Sequence, residues 1–421
     1  MTQVVGMDTE IYQRKTCRYC DRVLPEPFLK LGSLPLANSF LTQEELTRPE
    51  FVCPLNLCYC QNCSLVQLSH TVPPDLMFSN YLYVSSTTQT LRNHFAFYAQ
   101  EVKKRLNLST AKPLAVDIGS NDGLLVECFQ KEGFQAVGVE PARNLSDLTN
   151  QKGLLTINRY FDEATAREII DRFGKAGTIT ANNVFAHIDD IHSVCRNVAQ
   201  LLHEGGIFVI EFPYLPTMIQ NMLFDMIYHE HLCYISVHAL NFLLKQHRLK
   251  IFDISYVSSH GGSLRVSVEM ESGPYDVSKA VDAHLTRESK EGYLSMKTYV
   301  GFTESVAKVK DGILRHISDI KRARKSVSGY GAPAKSNTLI CYCGLSHQDI
   351  QFIVDDNPLK QNRFTPGSKI PVVPSDYLNE HPTDYVVVFA WNFAPEIMRK
   401  LSHLRKRGIK VIVPLPSPKI V

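Results

Sequence analysis

No stretch of this sequence reaches the roughly 18 consecutive apolar residues that a membrane-spanning helix needs. The opening segment Met1–Lys15 has no continuous apolar core of the kind a secretory signal carries. A surplus of one charge is missing too, since the formal net charge is +3. The densest basic patch, Lys321–Lys325, reads as the solvated end of a helix. These absences argue against a membrane and against nucleic acid as partners. Short-period repeats and low-complexity tracts are lacking, and so is the G-x-G-x-x-G fingerprint of dinucleotide folds. What remains is an ordinary globular composition, 44% hydrophobic and 21% charged. A chain of 421 residues is expected to form about three domains. The expected location is the cytoplasm.

A cytoplasmic protein keeps its thiols reduced, so clustered cysteines are read first as metal ligands. Six of the eleven cysteines precede residue 64, in a block that also holds Pro25, Pro27, Pro35, Pro49 and Pro54. Cys17-Arg-Tyr-Cys20 and Cys60-Gln-Asn-Cys63 are two C-x-x-C pairs. Each pair can place two thiolates on one metal, and two pairs complete a closed tetrahedral site. A closed site has no open position, so the expected zinc is structural. Cys53 and Cys58 are surplus to this set.

From Pro113 the pattern changes. Apolar runs LAVDIG, AVGVE, GLLTINRY, TITANNVFA and GGIFVIEF alternate with helical stretches. That alternation indicates a parallel sheet covered on both faces. Two further runs follow, LKIFDISYVS and GSLRVSVEM, the second expected as an antiparallel edge. Asp276–Lys325 reads as one or two long helices. From Val327 a half-sized Rossmann-like unit is expected, with runs such as IQFIVDD and DYVVVFAWN.

VDIGSNDG (Val116–Gly123) closes a strand and opens a helix. Gly119 suits the tight turn, and Gly123 is expected to let backbone approach a ligand. Asp117, Ser120, Asn121 and Asp122 belong to the same turn. Glu140 ends the next strand, where a carboxylate can accept both hydroxyls of a ribose. Asn182 and Asn183 end the fourth strand, where open α/β sheets bind ligands; capping the next helix is the alternative for one of them. The set suits S-adenosylmethionine or a nicotinamide dinucleotide. Asp117 favours S-adenosylmethionine, because a carboxylate there would repel a pyrophosphate.

The fifth strand leads into a segment that concentrates Glu211, Tyr214, Asp225, Tyr228, His229, Glu230 and His231. A histidine can take a proton from carbon and rest uncharged, and a tyrosine can donate a hydrogen bond to a developing oxyanion. Two imidazoles two residues apart do not share a helical face, so a metal at His229 and His231 is disfavoured. His187, at the end of the fourth strand, is expected near the same cleft. GYGAPAK reads either as an anion cradle at a helix N-terminus or as a plain strand-to-helix turn.

Taken together, CRYC with CQNCSLVQL, then VDIGSNDG, FDMIYHEHLCYIS, and GYGAPAK with VDDNPLKQ resemble the sugar C-methyltransferases. That family acts on nucleotide-linked deoxysugars in antibiotic and surface-polysaccharide pathways. The resemblance covers nearly the whole chain, in the same order. It implies an α/β protein with a central class I, Rossmann-like methyltransferase sheet, a small N-terminal zinc-binding domain and a Rossmann-like C-terminal domain. The boundaries expected are 1–77 for zinc, 78–275 for the methyltransferase with a helical entry at 78–112, 276–325 for a helical linker, and 326–421 for the nucleotide-sugar end.

Carried over by motif, the resemblance makes Cys17, Cys20, Cys60 and Cys63 the zinc ligands. Tyr228, Glu230 and His231 match the catalytic segment, with His187 nearby. His231 is then the base and Tyr228 its partner at the sugar oxygen. Tyr81 and Tyr83 resemble a stretch lining the sugar pocket, with Tyr214 a further substrate candidate. Gly329, Gly331, Lys335, Asp355, Asn357 and Asn392 are candidates for the nucleotide end. One departure is Ser336, where the family turn usually continues with glycine. The implied reaction is methylation of carbon on a dTDP- or GDP-type 4-keto-deoxysugar through an enolate, at C3 in preference to C5. The implied state is a monomer or weak homo-oligomer. Three rivals are an O- or N-methyltransferase, a nicotinamide-dependent sugar dehydrogenase, and a zinc-ribbon interaction module with an inactive enzyme domain.

Overall fold

The computed structural model describes residues 11–79, 81, 84–87, 89–108 and 111–421. Tyr83 lies outside the described residues.

The N-terminal block builds an antiparallel sheet from β1 (Leu29–Pro35), β2 (Val52–Tyr59) and β3 (Val66–Leu68). A fourth strand, Cys233–Tyr234, is donated from far along the chain and pairs with β3. It is the direct continuation of the Tyr228–His231 run. The zinc module and that run are therefore stitched together by backbone hydrogen bonds.

Helix α1 (Gln89–Arg105) buries Phe95, Tyr98, Ala99 and Val102, the spacing of one helical face. The central sheet follows, with β4 (Leu114–Ile118), β5 (Gln135–Val139), β6 (Thr156–Ile157), β7 (Ala176–Asn182), β8 (Leu202–Pro213), β9 (Leu249–Val257) and β10 (Ser263–Met270), and with helix α2 (Val237–Lys245) between β8 and β9. Their spatial order is β6-β5-β4-β7-β8-β10-β9. The first five are parallel, while β10 runs antiparallel to both neighbours. The chain order reverses between β4 and β7, so a crevice opens at the carboxyl ends of those two strands. The edge is β9 and not β10, contrary to the sequence expectation. The reason is burial: seven of the eight residues of β10 are buried, which only an interior strand allows.

The expected helical linker is two helices, α3 (Lys279–Lys290) and α4 (Met296–Arg322), and it does more than connect. On α4, Tyr299, Phe302, Val306, Val309, Ile313, Ile317 and Ile320 form one buried stripe. Tyr299 meets Phe28 and Tyr59 of the zinc module at ring separations of 5.2 and 4.4 Å. On α3, Glu288 is fully buried and accepts from the Tyr214 hydroxyl at 2.8 Å, the Val237 and His238 amides, and His238 Nδ1. Tyr214 is therefore not a substrate contact. Its ring is buried and its hydroxyl is consumed in satisfying a buried carboxylate.

The C-terminal sheet contains β11 (Val327–Tyr330), β12 (Ile353–Val354), β13 (Arg363–Phe364), β14 (Pro371–Val373), β15 (Tyr385–Val388), β16 (Lys410–Val413) and β17 (Lys419–Ile420). The order β13-β14-β12-β11-β15-β16-β17 is parallel except at its two edge strands. Its own reversal falls between β11 and β15. Helix α5 (Ala334–Tyr342) begins there. Among the described residues, no helix is long and apolar enough to cross a membrane.

Tyr214→Phe should lower the thermal midpoint by several degrees, because a bond to a buried charge contributes about 1.5–3 kcal/mol. Thermal denaturation checks this, and affinity for the methyl acceptor should stay unchanged.

Candidate active site

The sulfur atoms of Cys17, Cys20, Cys60 and Cys63 lie within 4.8 Å of one another. The Cys17–Cys63 and Cys20–Cys60 separations are 3.4 and 3.5 Å, close to the roughly 3.8 Å edge of a thiolate tetrahedron around zinc. The two knuckles repeat one geometry. Asp21 N–H bonds Cys17 O and Ser64 N–H bonds Cys60 O, with positive φ at Asp21 and Ser64. Gln67 Nε2 donates to Cys17 Sγ at 2.9 Å, an orienting bond of the kind metal-bound thiolates use. Cys53 and Cys58 stay apart, and burial pushes both thiols up to about 12, so they keep their protons at neutral pH.

Arg18, inside the first knuckle, carries the module onto the central domain. Its guanidinium is buried and bonds Leu68 O, Gln67 Oε1, Thr71 Oγ1 and Asp189 Oδ1. Asp189 sits two residues beyond His187. Sequence reasoning missed Arg18, Gln67 and Asp189, because only the fold brings them together.

In the crevice at the β4–β7 switch point, the turn 119–123 holds a positive φ at Gly119, Asn121 and Gly123. At Gly123 the packing corrects the expectation of a close ligand: a Cβ there would lie 2.8 Å from Thr149 and 2.9 Å from Leu154. Glycine is needed for helix packing. Glu140 is buried and accepts the Asn121 and Ala142 amides, both at 2.8 Å, leaving each oxygen a second lone pair. Asp117 accepts the Thr180 hydroxyl at 2.6 Å, and burial raises its carboxyl to about 7. Asn182 stands beside Asp117, and among the described residues its polar atoms, like Ser120 Oγ, Asp122 Oδ1 and Asn183 Oδ1, are buried with no hydrogen-bond partner of good geometry. Such a cluster of unmet donors and acceptors at one switch point suits a polar ligand. Residues 81, 85 and 86 lie against it: Ser85 and Ser86 amides bond Asn121 Oδ1 and Asp122 Oδ2, and Asn144 brackets the Tyr81 backbone.

The Tyr228–His231 run gathers around His187, which follows β7. His231 is buried, and its Nδ1 lies 2.8 Å from Met226 O. A carbonyl can only accept, so the proton sits on Nδ1 and Nε2 is the basic atom. The His231 ring lies 4.0 Å from Tyr228 and 5.0 Å from His187, centroid to centroid. His187 stacks on Phe78 at 5.8 Å. Glu230 is buried, accepts Tyr81 OH at 2.7 Å and Asn38 Nδ2 at 2.6 Å, and is raised above the usual carboxylate range by burial. It lines a cavity of about 180 Å³ with Asn38, Phe40, Tyr81, His229 and Arg363. His229, on the same cavity wall, directs its ring nitrogen into the N-terminal sheet. Its Nε2 donates to Cys53 O at 2.9 Å, and burial lowers its pKa to about 4.

The C-terminal candidates divide. Lys335 and Asn392 meet, with Nζ donating to Oδ1 at 2.5 Å, and Lys335 lies 4.0 Å over the Trp391 ring. Burial lowers Lys335 to about 8. Asn357 instead serves its own turn, its amide oxygen accepting Leu359 N–H, and Asp355 accepts the Ala332 and Asn357 amides. Ser336 donates to Pro333 O at 2.6 Å and so closes the first turn of α5. Lys360, unnoticed in the sequence although its motif was, donates to Ala332 O and neighbours Glu230 and Asp355.

Comparison with known proteins now bears on this arrangement. Three family descriptions match in succession: "Putative zinc binding domain" over residues 17–78, "Methyltransferase domain" over 91–252, and "C-methyltransferase C-terminal domain" over 258–416. The C-methyltransferase NovU of Streptomyces niveus is 36% identical over 405 residues, covering 96% of both chains. The chain belongs to this C-methyltransferase family. A ubiquinone biosynthesis O-methyltransferase of Bradyrhizobium sp. (strain ORS 278) is 33% identical over 98 residues, 23% of this chain and 38% of that one. The magnesium protoporphyrin IX methyltransferase of Synechocystis PCC 6803, solved with bound S-adenosylhomocysteine, matches at 14% identity with a TM-score of 0.33, covering 42% of this chain and 82% of that one.

This C-methyltransferase uses S-adenosylmethionine and has a zinc-binding module. Removing the metal with a chelator should unfold residues 17–78 and abolish methyl transfer. Limited proteolysis should then cut near residues 226–236, which lose their β3 partner; zinc analysis should give one ion per chain.

Buried neutral His229 generates a pH prediction. An unfolded chain takes up this proton near pH 6.5, whereas the folded chain refuses it until about pH 4. The stability it contributes is complete above pH 6.5 and is lost as pH falls toward 4, amounting to about 3 kcal/mol. Urea unfolding at pH 7.5 and pH 5 should show a smaller loss for His229→Gln than for the wild type.

Proposed function

We propose that this enzyme methylates a carbon beside the ketone of a nucleoside-diphosphate-linked 4-keto-deoxysugar. The carrying observation is the orientation of His231, whose Nδ1 proton is given to Met226 O. That leaves Nε2 as a base beside two other ring side chains that can hold an oxygen. In the reaction, Nε2 takes the proton next to the ketone, the C–H electron pair becomes the enolate double bond, and the charge passes to oxygen. Tyr228, with His187, donates to that oxygen. S-adenosylmethionine, when bound, supplies an electrophilic methyl group on its sulfonium; the enolate carbon bonds to it with its electron pair, the ketone re-forms, and the methyl–sulfur bond breaks with its pair staying on sulfur as S-adenosylhomocysteine. The imidazolium then returns its proton to solvent. A general base contributes about 10²–10⁴-fold, and one oxyanion donor about 10²–10³-fold.

A sugar is supported by the polar wall of the cavity, where Glu230, Tyr81 and Asn38 already exchange hydrogen bonds that hydroxyls can join. A diphosphate is supported by Lys335 at the start of α5, with Lys360 and Arg363 on the same flank. C3 is the position we assign, with C5 flanking the same ketone.

Incubation with S-adenosylhomocysteine in deuterated water should wash deuterium into the 4-keto nucleotide-sugar. Methylation with labelled donor should then place the label on the same carbon by NMR. His231→Gln should slow both by about 10²–10⁴-fold. Methylation of oxygen or nitrogen, without exchange, would overturn the proposal.

A further inference from the structure

We propose that Asp225 is a positioning residue for the His231 imidazole, clamped from the C-terminal domain by the indole of Trp391. The proposal rests on the assignment of His231 as the base.

The turn Phe224–Met226 is a single 3-10 turn, closed by Met226 N–H to Leu223 O and Ile227 N–H to Phe224 O. Its last residue, Met226, offers the carbonyl that holds the His231 proton. Its middle residue, Asp225, is 1% exposed. Asp225 Oδ2 accepts Trp391 Nε1–H at 2.5 Å, while Oδ1 is buried and has no hydrogen-bond partner of good geometry among the described residues. Trp391 belongs to the turn after β15, on the far side of the domain boundary. Its ring cannot swing freely. Lys335 Nζ lies over it at 4.0 Å, and it presses so closely on Gly261 that a Cβ there would come within 3.0 Å. Thr338 Oγ1, on α5, adds a second tie to the Ile227 carbonyl at 2.7 Å.

A carboxylate costs more to bury than an apolar side chain of the same size. Folding alone gains little from one here, even with the Lys335 charge nearby. What Asp225 supplies is direction. The bond from an indole wedged against a glycine and a lysine, with the Thr338 bond to the Ile227 carbonyl beside it, fixes the rotation of a turn only three residues long. Rotating that turn would move the Met226 carbonyl away from Nδ1 and release the tautomer that makes Nε2 basic. The clamp thus holds the base only while the C-terminal domain is docked.

Full-length protein with ¹⁵N-labelled histidine gives a direct reading of the His231 ring, its signals assigned by their loss in His231→Gln. Trp391 is the only tryptophan in the chain, so intrinsic emission reports the clamp. The wild type should show the Nδ1–H tautomer. Trp391→Phe and Asp225→Ala should each populate Nε2–H and slow deuterium wash-in by about tenfold to a hundredfold, with S-adenosylhomocysteine affinity unchanged. Asp225→Asn, which keeps an oxygen for the indole, should restore both the tautomer and the Trp391 emission. A folded Trp391→Phe whose His231 stays wholly Nδ1–H would overturn the proposal, and that variant decides the matter if Asp225→Ala does not fold. A shifted tautomer with no wash-in by the wild type would leave the clamp standing and refute the base.

Discussion

The peptide groups of residues 226–234 lie buried outside any long helix or strand, and a buried amide or carbonyl without a partner is costly. Their partners come from three directions. Met226 O takes the His231 proton, Ile227 O takes the Thr338 hydroxyl from α5, and Leu232 spans from Ala186 O to Leu68 N. Cys233 and Tyr234 then become a strand of the zinc module's sheet. This segment consequently has its present shape only where the N-terminal module, the central sheet and α5 meet. The four-cysteine knuckles are tied to it through β3 and Arg18.

Buried charge follows the same economy of satisfaction. Glu211 sits at the end of β8, where burial alone would raise its carboxyl, but His94 and Arg265 outweigh that and hold it below the usual range. Arg265 in turn lies 3.8 Å over the Tyr98 ring. Glu288 accepts from four donors, which ties α3 to the segment after β8. Glu211 stands in the same stretch of sequence as Tyr228–His231 and Glu288 far beyond it, yet each is spent on holding elements together. The groups left with unmet capacity, Ser120, Asp122, Asn182 and Asn183, face the switch point of the central sheet instead.

Much of this was legible in the residues. Two C-x-x-C pairs announce one metal because sulfur spacing within a knuckle is local. The alternation of apolar runs from Pro113 announces a parallel sheet, and the acidic residue at 140 follows from strand-end geometry. The run Tyr228–His231 stood out by chemistry alone. What was not legible were partnerships across long sequence separations. Tyr214 looked like a pocket residue until Glu288, 74 positions away, claimed its hydroxyl. Gly123 looked like a ligand contact until Thr149 and Leu154 filled the space above it. Asn38, Lys360 and Trp391 carried no local signal.

By itself the sequence determined the inventory: four zinc-spaced thiols, a turn with an acid one strand later, and an imidazole beside a phenol. These depend on backbone geometry over a few residues, which periodicity and spacing encode. Tertiary structure alone decided the assignments within that inventory. It turned His229 toward the Cys53 carbonyl and His231 toward the Met226 carbonyl, although the two are separated by a single residue. Which ring nitrogen carries a proton depends on the carbonyl it meets, and only the folded chain selects that carbonyl.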